Sequence, residues 1–242
     1  GNVGLGSGNL GTAITTGTDN VAIGEASLDA VTTGSDNTAV GDNAGGAITT
    51  GGSNVAIGSA ALLVATTASS NVAVGTAALT ANTSGTDNVA VGTGAGDANT
   101  TGSDNTAIGD NALGANTTAA NNTAVGSSAL LVNTTGTDNV AVGAGALDAT
   151  GAGTDGSYNV AIGNDALGAN TEGQFNVALG RRAGYAITTG DENVALGYLA
   201  LYTATTASNN VAVGTSAMQA NTSGTDNVAV GDRSLDANTT GS

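Results

Sequence analysis

The chain has 242 residues, 40 of them Gly, with no Pro, Cys or Trp and a single Phe. Aromatics make up only 2%, which excludes a globular core of bulky side chains; the apolar residues are mostly Ala and Val and can fill only a thin core. Three Arg, no Lys and 19 acidic residues give a net charge of −16, and so acidic a chain repels phosphate backbones and anionic lipid headgroups.

Near the start, Asn2–Gly6 (NVGLG) is a worn copy of the pentapeptide Asn-(Val/Thr)-Ala-(Val/Ile/Leu)-Gly. Thirteen further copies run from Asn20–Gly24 to Asn227–Gly231. The step is 17 residues, except for 18 at the first and 20 between Asn139 and Asn159. Self-similarity at a short fixed period signals a solenoid or an array. Low hydrophobicity with high charge would permit disorder, but a disordered chain has no reason to keep a period.

One repeat, Asn71–Asp87, serves for all. Val72, Ala73 and Val74 predict a strand, because branched side chains favour extended backbone. The two Val point to one side of it and Ala73 to the other. Gly75 is matched by Gly in every copy and implies positive φ or a backbone approach too close for a Cβ. A second extended stretch is expected from Ala78 to Thr83, closed by a Ser-Gly-Thr-Asp turn. The Gly of that turn is replaced by Ala68, Ala119 and Ala207, so positive φ is not required there. Two strands and two turns per repeat predict an all-β solenoid of about fourteen coils. At about 4.8 Å per coil it would be roughly 65 Å long. Helices are disfavoured, since the apolar positions lack a 3.6 period. With both faces of the Val-Ala-Val strand apolar, an outward Ala column implies a cover, and a second copy of the chain is the expected one.

Further along, 37–92 matches 176–231 at an offset of eight coils plus three residues, an internal duplication. The three extra residues predict a longer loop at 151–158 (GAGTDGSY). The chain starts and stops within a repeat, which reads as one repetitive segment, 1–242, of a longer fibrous protein. No apolar run approaches the roughly 20 residues of a membrane span, and no membrane insertion by this segment is expected.

Several columns invite a chemical reading. Asp19, Asp36, Asp87, Asp104, Asp138 and Asp226 each precede the Asn; stacking would bring Asp87 and Asp104 together, and calcium would relieve the repulsion. The competing reading is that Asp ends the turn by bonding backbone N–H groups. No other metal or cofactor is implied. The Asn column (Asn20, Asn37, Asn71, Asn88) reads as a ladder of stacked amides, with Gly24, Gly41, Gly75 and Gly92 closing the strands. Thr pairs such as Thr32-Thr33 and Thr100-Thr101 could present ranks to ice or simply be exposed strand residues. Asn82, Asn99, Asn116, Asn133, Asn221 and Asn238 lie in glycosylation sequons, which could carry glycans in a secreted protein or arise by chance in a repeat built from Asn and Thr. Arg181, Arg182, Tyr185, Tyr198 and Tyr202 are singular on a monotonous surface; Arg and Tyr are typical binding anchors, and the competing reading is that Arg181 and Arg182 simply neutralise local acidity. With no His and no Cys, Ser-His-Asp, Cys-His and zinc constellations are unavailable, so no enzyme is expected.

NVAIG, NTAVG and NVAVG, each followed by a two-residue turn and Ala-Leu, resemble the head repeats of trimeric autotransporter adhesins of the YadA type. They are equally similar to NTAVG…AL…NTTG repeats of phage tail fibres. The resemblance covers the whole chain through its repeat. It implies a left-handed parallel β-roll, a homotrimer around one axis, Val21 and Ile23 packed inside, and no catalytic residues. The 17-residue period is longer than that of the familiar adhesin heads. The expected function is an extracellular fibre or adhesin shaft, on a cell surface or virion, acting as a spacer and attachment element. A host receptor or glycan is the expected outside partner, and nucleic acid is not. A self-assembling filament or sheath subunit is the alternative, and an ice-binding solenoid the third reading.

Overall fold

The computed structural model describes residues 1–10, 13–149 and 156–242 and shows an all-β parallel solenoid with one three-residue strand per repeat. The chain divides into two compact units, Gly1–Asn121 and Asn122–Ser242. In the first, β1 (Val3–Leu5), β2 (Val21–Ile23), β3 (Thr38–Val40), β4 (Val55–Ile57), β5 (Val72–Val74), β6 (Val89–Val91) and β7 (Thr106–Ile108) pair in sequence order. In the second, β8 (Thr123–Val125), β9 (Val140–Val142), β10 (Val160–Ile162), β11 (Val177–Leu179), β12 (Val194–Leu196), β13 (Val211–Val213) and β14 (Val228–Val230) do the same. Register within each unit aligns like with like, so that Val72 pairs with Val89 and Ala73 with Ala90. The 20-residue step does not disturb it, because Ala141 still meets Ala161. Of the expected loop at 151–158, residues 151–155 lie outside the described residues. Tyr158 is already back in the stack, its N–H donating to Thr137 O at 3.1 Å.

The expected second strand is not there. From Gly75 to Asn82 the backbone makes three successive four-residue turns: Ala78 N–H donates to Gly75 O, Thr80 N–H to Ala77 O and Asn82 N–H to Leu79 O, at 3.1–3.3 Å. Ala77 and Leu79, the third residues of the first two turns, have φ of 59° and 50°. Positive φ at that position is the type II requirement, and it is incompatible with a strand. A left-handed Leu in a coil costs about 1–3 kcal/mol. Two features hold it: the Leu side chain is fully or almost fully buried, and Leu79 N–H donates to Ala95 O of the next coil at 3.0 Å.

The interior also reverses the expected sidedness. Ala22, Ala39, Ala73 and Ala90 of the strands are completely buried, while Val21, Ile23 and their equivalents lie outside and partly exposed. The turn Leu and the strand Ala together fill the interior, and where the Leu column holds Gly45 or Gly184 an Ile takes up the space. A Cβ built on Gly184 would lie 2.9 Å from Leu167 Cδ2, 3.1 Å from Ile187 Cδ1 and 3.7 Å from Ala178 Cβ. Once the turn sends a Leu into the centre, only Ala fits beneath it from the strand. The coils with Gly45 and Gly184 in the Leu column carry Ile48 and Ile187 three residues on, and both Ile are fully buried, so volume is returned within the coil.

Gly75 explains the invariance of its column. Its φ is +139°, and a Cβ there would fall 2.4 Å from Gly92 O, a backbone atom that cannot yield. The second-turn Gly at position 85 and its equivalents have no positive φ, as the substitutions by Ala68, Ala119 and Ala207 require.

Candidate functional site

The Asn column forms a continuous amide ladder. Asn37 Nδ2 donates to Asn20 Oδ1 at 3.0 Å and to Gly51 O at 3.0 Å, while its Oδ1 accepts Asn54 N–H at 3.1 Å and Asn54 Nδ2 at 3.0 Å. Asn71 and Asn88 repeat the pattern. Both donors and both lone pairs of each buried amide are used, which leaves nothing to recognise a ligand. A second Asn rank escaped the sequence reading. Asn82, Asn99, Asn116, Asn133 and Asn221 are fully or almost fully buried, and Asn82 Nδ2 donates to Gly85 O at 3.0 Å while its Oδ1 accepts Gly85 N–H at 3.0 Å. These are the sequon residues. Buried and bonded nitrogens cannot carry glycans on the folded coil; only Asn238, in the last repeat, is partly exposed. The signal available was the column itself, which alternates Asn with Val31, Ile48 and Ala65, residues of an interior.

Asp87 and Asp104 are exposed, with φ of 58° and 59°. The residue before each ladder Asn is left-handed throughout the described coils, and Asp, Asn and Ser are tolerated there. Backbone geometry thus accounts for the Asp column, and among the described residues no three acidic, His or Cys side chains gather as a metal site. The Thr pairs are divided between two tasks: Thr32 Oγ1 donates to Thr49 O at 3.0 Å and Thr100 Oγ1 to Thr117 O at 2.9 Å, whereas Thr33 and Thr101 are exposed.

Two features of the surface remain. The first is an apolar stripe made by the outward residues of the strands, among them Ile23, Val40, Ile57, Val74, Val91 and Ile108 in the first unit. No charged residue interrupts the strands themselves. The second is a belt in the second unit, where the singular residues meet in stacks. Tyr185 and Tyr202 lie with ring centroids 5.5 Å apart and planes 16° apart. Arg182 sits over Tyr185 at 5.5 Å and its Nε donates to Asp165 Oδ2 at 3.2 Å, and that carboxylate holds the guanidinium above its ordinary pKa. Arg181 sits over Tyr198 at 5.9 Å, with Nε 3.4 Å from Asn164 Oδ1. Tyr158 and Phe175 stack at 5.1 Å and 4°, a pair missed in the sequence although the two stand one period apart in the pre-Asn column.

Comparison with protein-family models, with curated proteins and with solved structures returns no match.

Proposed function

We propose that the chain is a segment of an extracellular structural fibre or adhesin shaft, left-handed in its winding, in which three copies associate along the apolar stripe. The observation that carries this reading is the outward Val and Ile column. Ile23, Ile57, Val91 and Ile108 each keep more than a third of their surface exposed in the interior coils of the first unit. Contiguous apolar surface of this kind marks an interaction face, and burying it removes from water the bulk that the filled interior leaves outside. A regular coil of mutually bonded amides suits a spacer, since each added repeat extends the ladder and brings its own stability. The net charge of −16 keeps assembled fibres apart and soluble. The fully engaged amide ladder and the absence of His and Cys from the sequence favour a structural over a catalytic role.

The test places charge on the stripe without touching the bore. The double variant Val74→Glu/Val91→Glu is expected to be a monomer by light scattering, with the far-ultraviolet circular dichroism of the unmodified chain. An unchanged oligomeric mass would remove the stripe from the assembly.

A further inference from the structure

The coils are nearly identical, so copies packed side by side along the stripe could slip past one another by whole coils, each about 4.8 Å, with little loss of contact. Something must break that degeneracy. The residues that differ most from the repeat fall at one level, on the two flanks of β10–β12. Before the strands stand Tyr158 and Phe175, 51% and 52% exposed, and then Glu192. After them stand Arg181, which is exposed and makes no ion pair among the described residues, and Tyr198, 45% exposed. Between the flanks lies Leu179, at 50% the most exposed stripe residue of an interior coil.

We propose, resting on the self-association above, that this belt is a register lock between copies of the chain: the Arg181–Tyr198 flank of one copy seats against the Tyr158–Phe175–Glu192 flank of the next. In a ring of identical copies one flank of each meets the opposite flank of its neighbour. The two flanks are complementary in the ways such a contact needs. A cation on one faces the aromatic rings of the other only when the copies are in register, whereas a carboxylate such as Glu192 has Asp counterparts in the same column at other levels and adds attraction without choosing the register. Slipping the copies by several coils leaves the exposed aromatics and Leu179 against Asp, Ser and Thr columns. The lock thus specifies alignment by what is lost elsewhere.

The experiment uses the full chain with Ser127→Cys, an exposed position in a protein without other Cys, carrying a spin label. The expected result is one narrow inter-copy distance. In Tyr158→Ser/Phe175→Ser, residues that this column already accepts at Ser53 and Ser70, the mass should be unchanged and the distance distribution should broaden to longer values as copies slip along the axis by whole coils of about 4.8 Å. Arg181→Thr/Tyr198→Thr, which brings in the residue that Thr76 and Thr93 supply in the same column, should broaden it equally. Distances as narrow as in the unmodified chain, in either variant, would overturn the lock, and the belt would then be free for a foreign ligand such as an acidic glycan. A monomeric unmodified chain would fail the fibre reading itself, and the mass reports that separately from the distances.

Discussion

At the scale of the residue, the ladder Asn does the most. Asn71 Nδ2 bonds Asn54 Oδ1 and Gly85 O, and its Oδ1 holds Asn88 N–H and Nδ2. Asn71→Ala would leave the buried Asn88 N–H without its partner, at about 1–3 kcal/mol, and would take one of their bonds from Asn54 Oδ1, Gly85 O and Asn88 Nδ2, at about 0.5–1.5 kcal/mol each. The predicted loss is roughly 3–5 kcal/mol, measured as a fall in the denaturant midpoint. An exposed Asp87→Ala, by comparison, touches only a left-handed turn residue, with an expected loss of about 1 kcal/mol. The Asn pattern was legible because an amide that stacks on its own kind every 17 residues has few other uses. The second rank was not, since a residue that alternates with Val and Ile only declares itself as interior when the column is read as a whole.

At the scale of the coil, the strand, its register and the period could be read directly; the remainder of the coil could not. Ala78 to Thr83 is rich enough in apolar and Thr residues to pass as extended, yet Leu79 is left-handed. The warning lay in other copies: the same column holds Gly45, Gly96 and Gly184, and the column of Ala77 holds Asn43, Gly94 and Asn111. Residues that tolerate positive φ, recurring where Leu and Ala also stand, fix the backbone for all. The sidedness of the strand follows from the same turns, because they send Leu into the bore and Ala must face it. The consequence is asymmetric. Ala73→Val should overpack the bore and cost about 1–3 kcal/mol, whereas Val72→Ala should leave the coil's own folding nearly unchanged. Thermal unfolding of the two variants under conditions that keep the chain monomeric distinguishes them, and equal losses would contradict the observed packing.

For the molecule as a whole, charge sets the response to pH. Burial pushes the Asp97 carboxyl above its ordinary value, and burial together with the Asp165 charge does the same for Asp148. A folded-state value above the unfolded one means that the native chain binds protons more tightly. Stability therefore falls as pH rises through the window above 3.8 and returns on acidification. Protonating carboxylates also relieves the self-repulsion of a −16 chain. The melting temperature is accordingly expected to be higher at about pH 4.5 than at about pH 7, the reverse of a protein held together by salt-bridged carboxylates.

In the reading we propose, the outward Val and Ile stripe is covered by further copies of the same chain. The most direct measurement is the absolute mass of the unmodified protein in solution by light scattering. A value three times the 22.5 kDa chain is predicted. A stable species at 22.5 kDa, unchanged at high concentration, would contradict it.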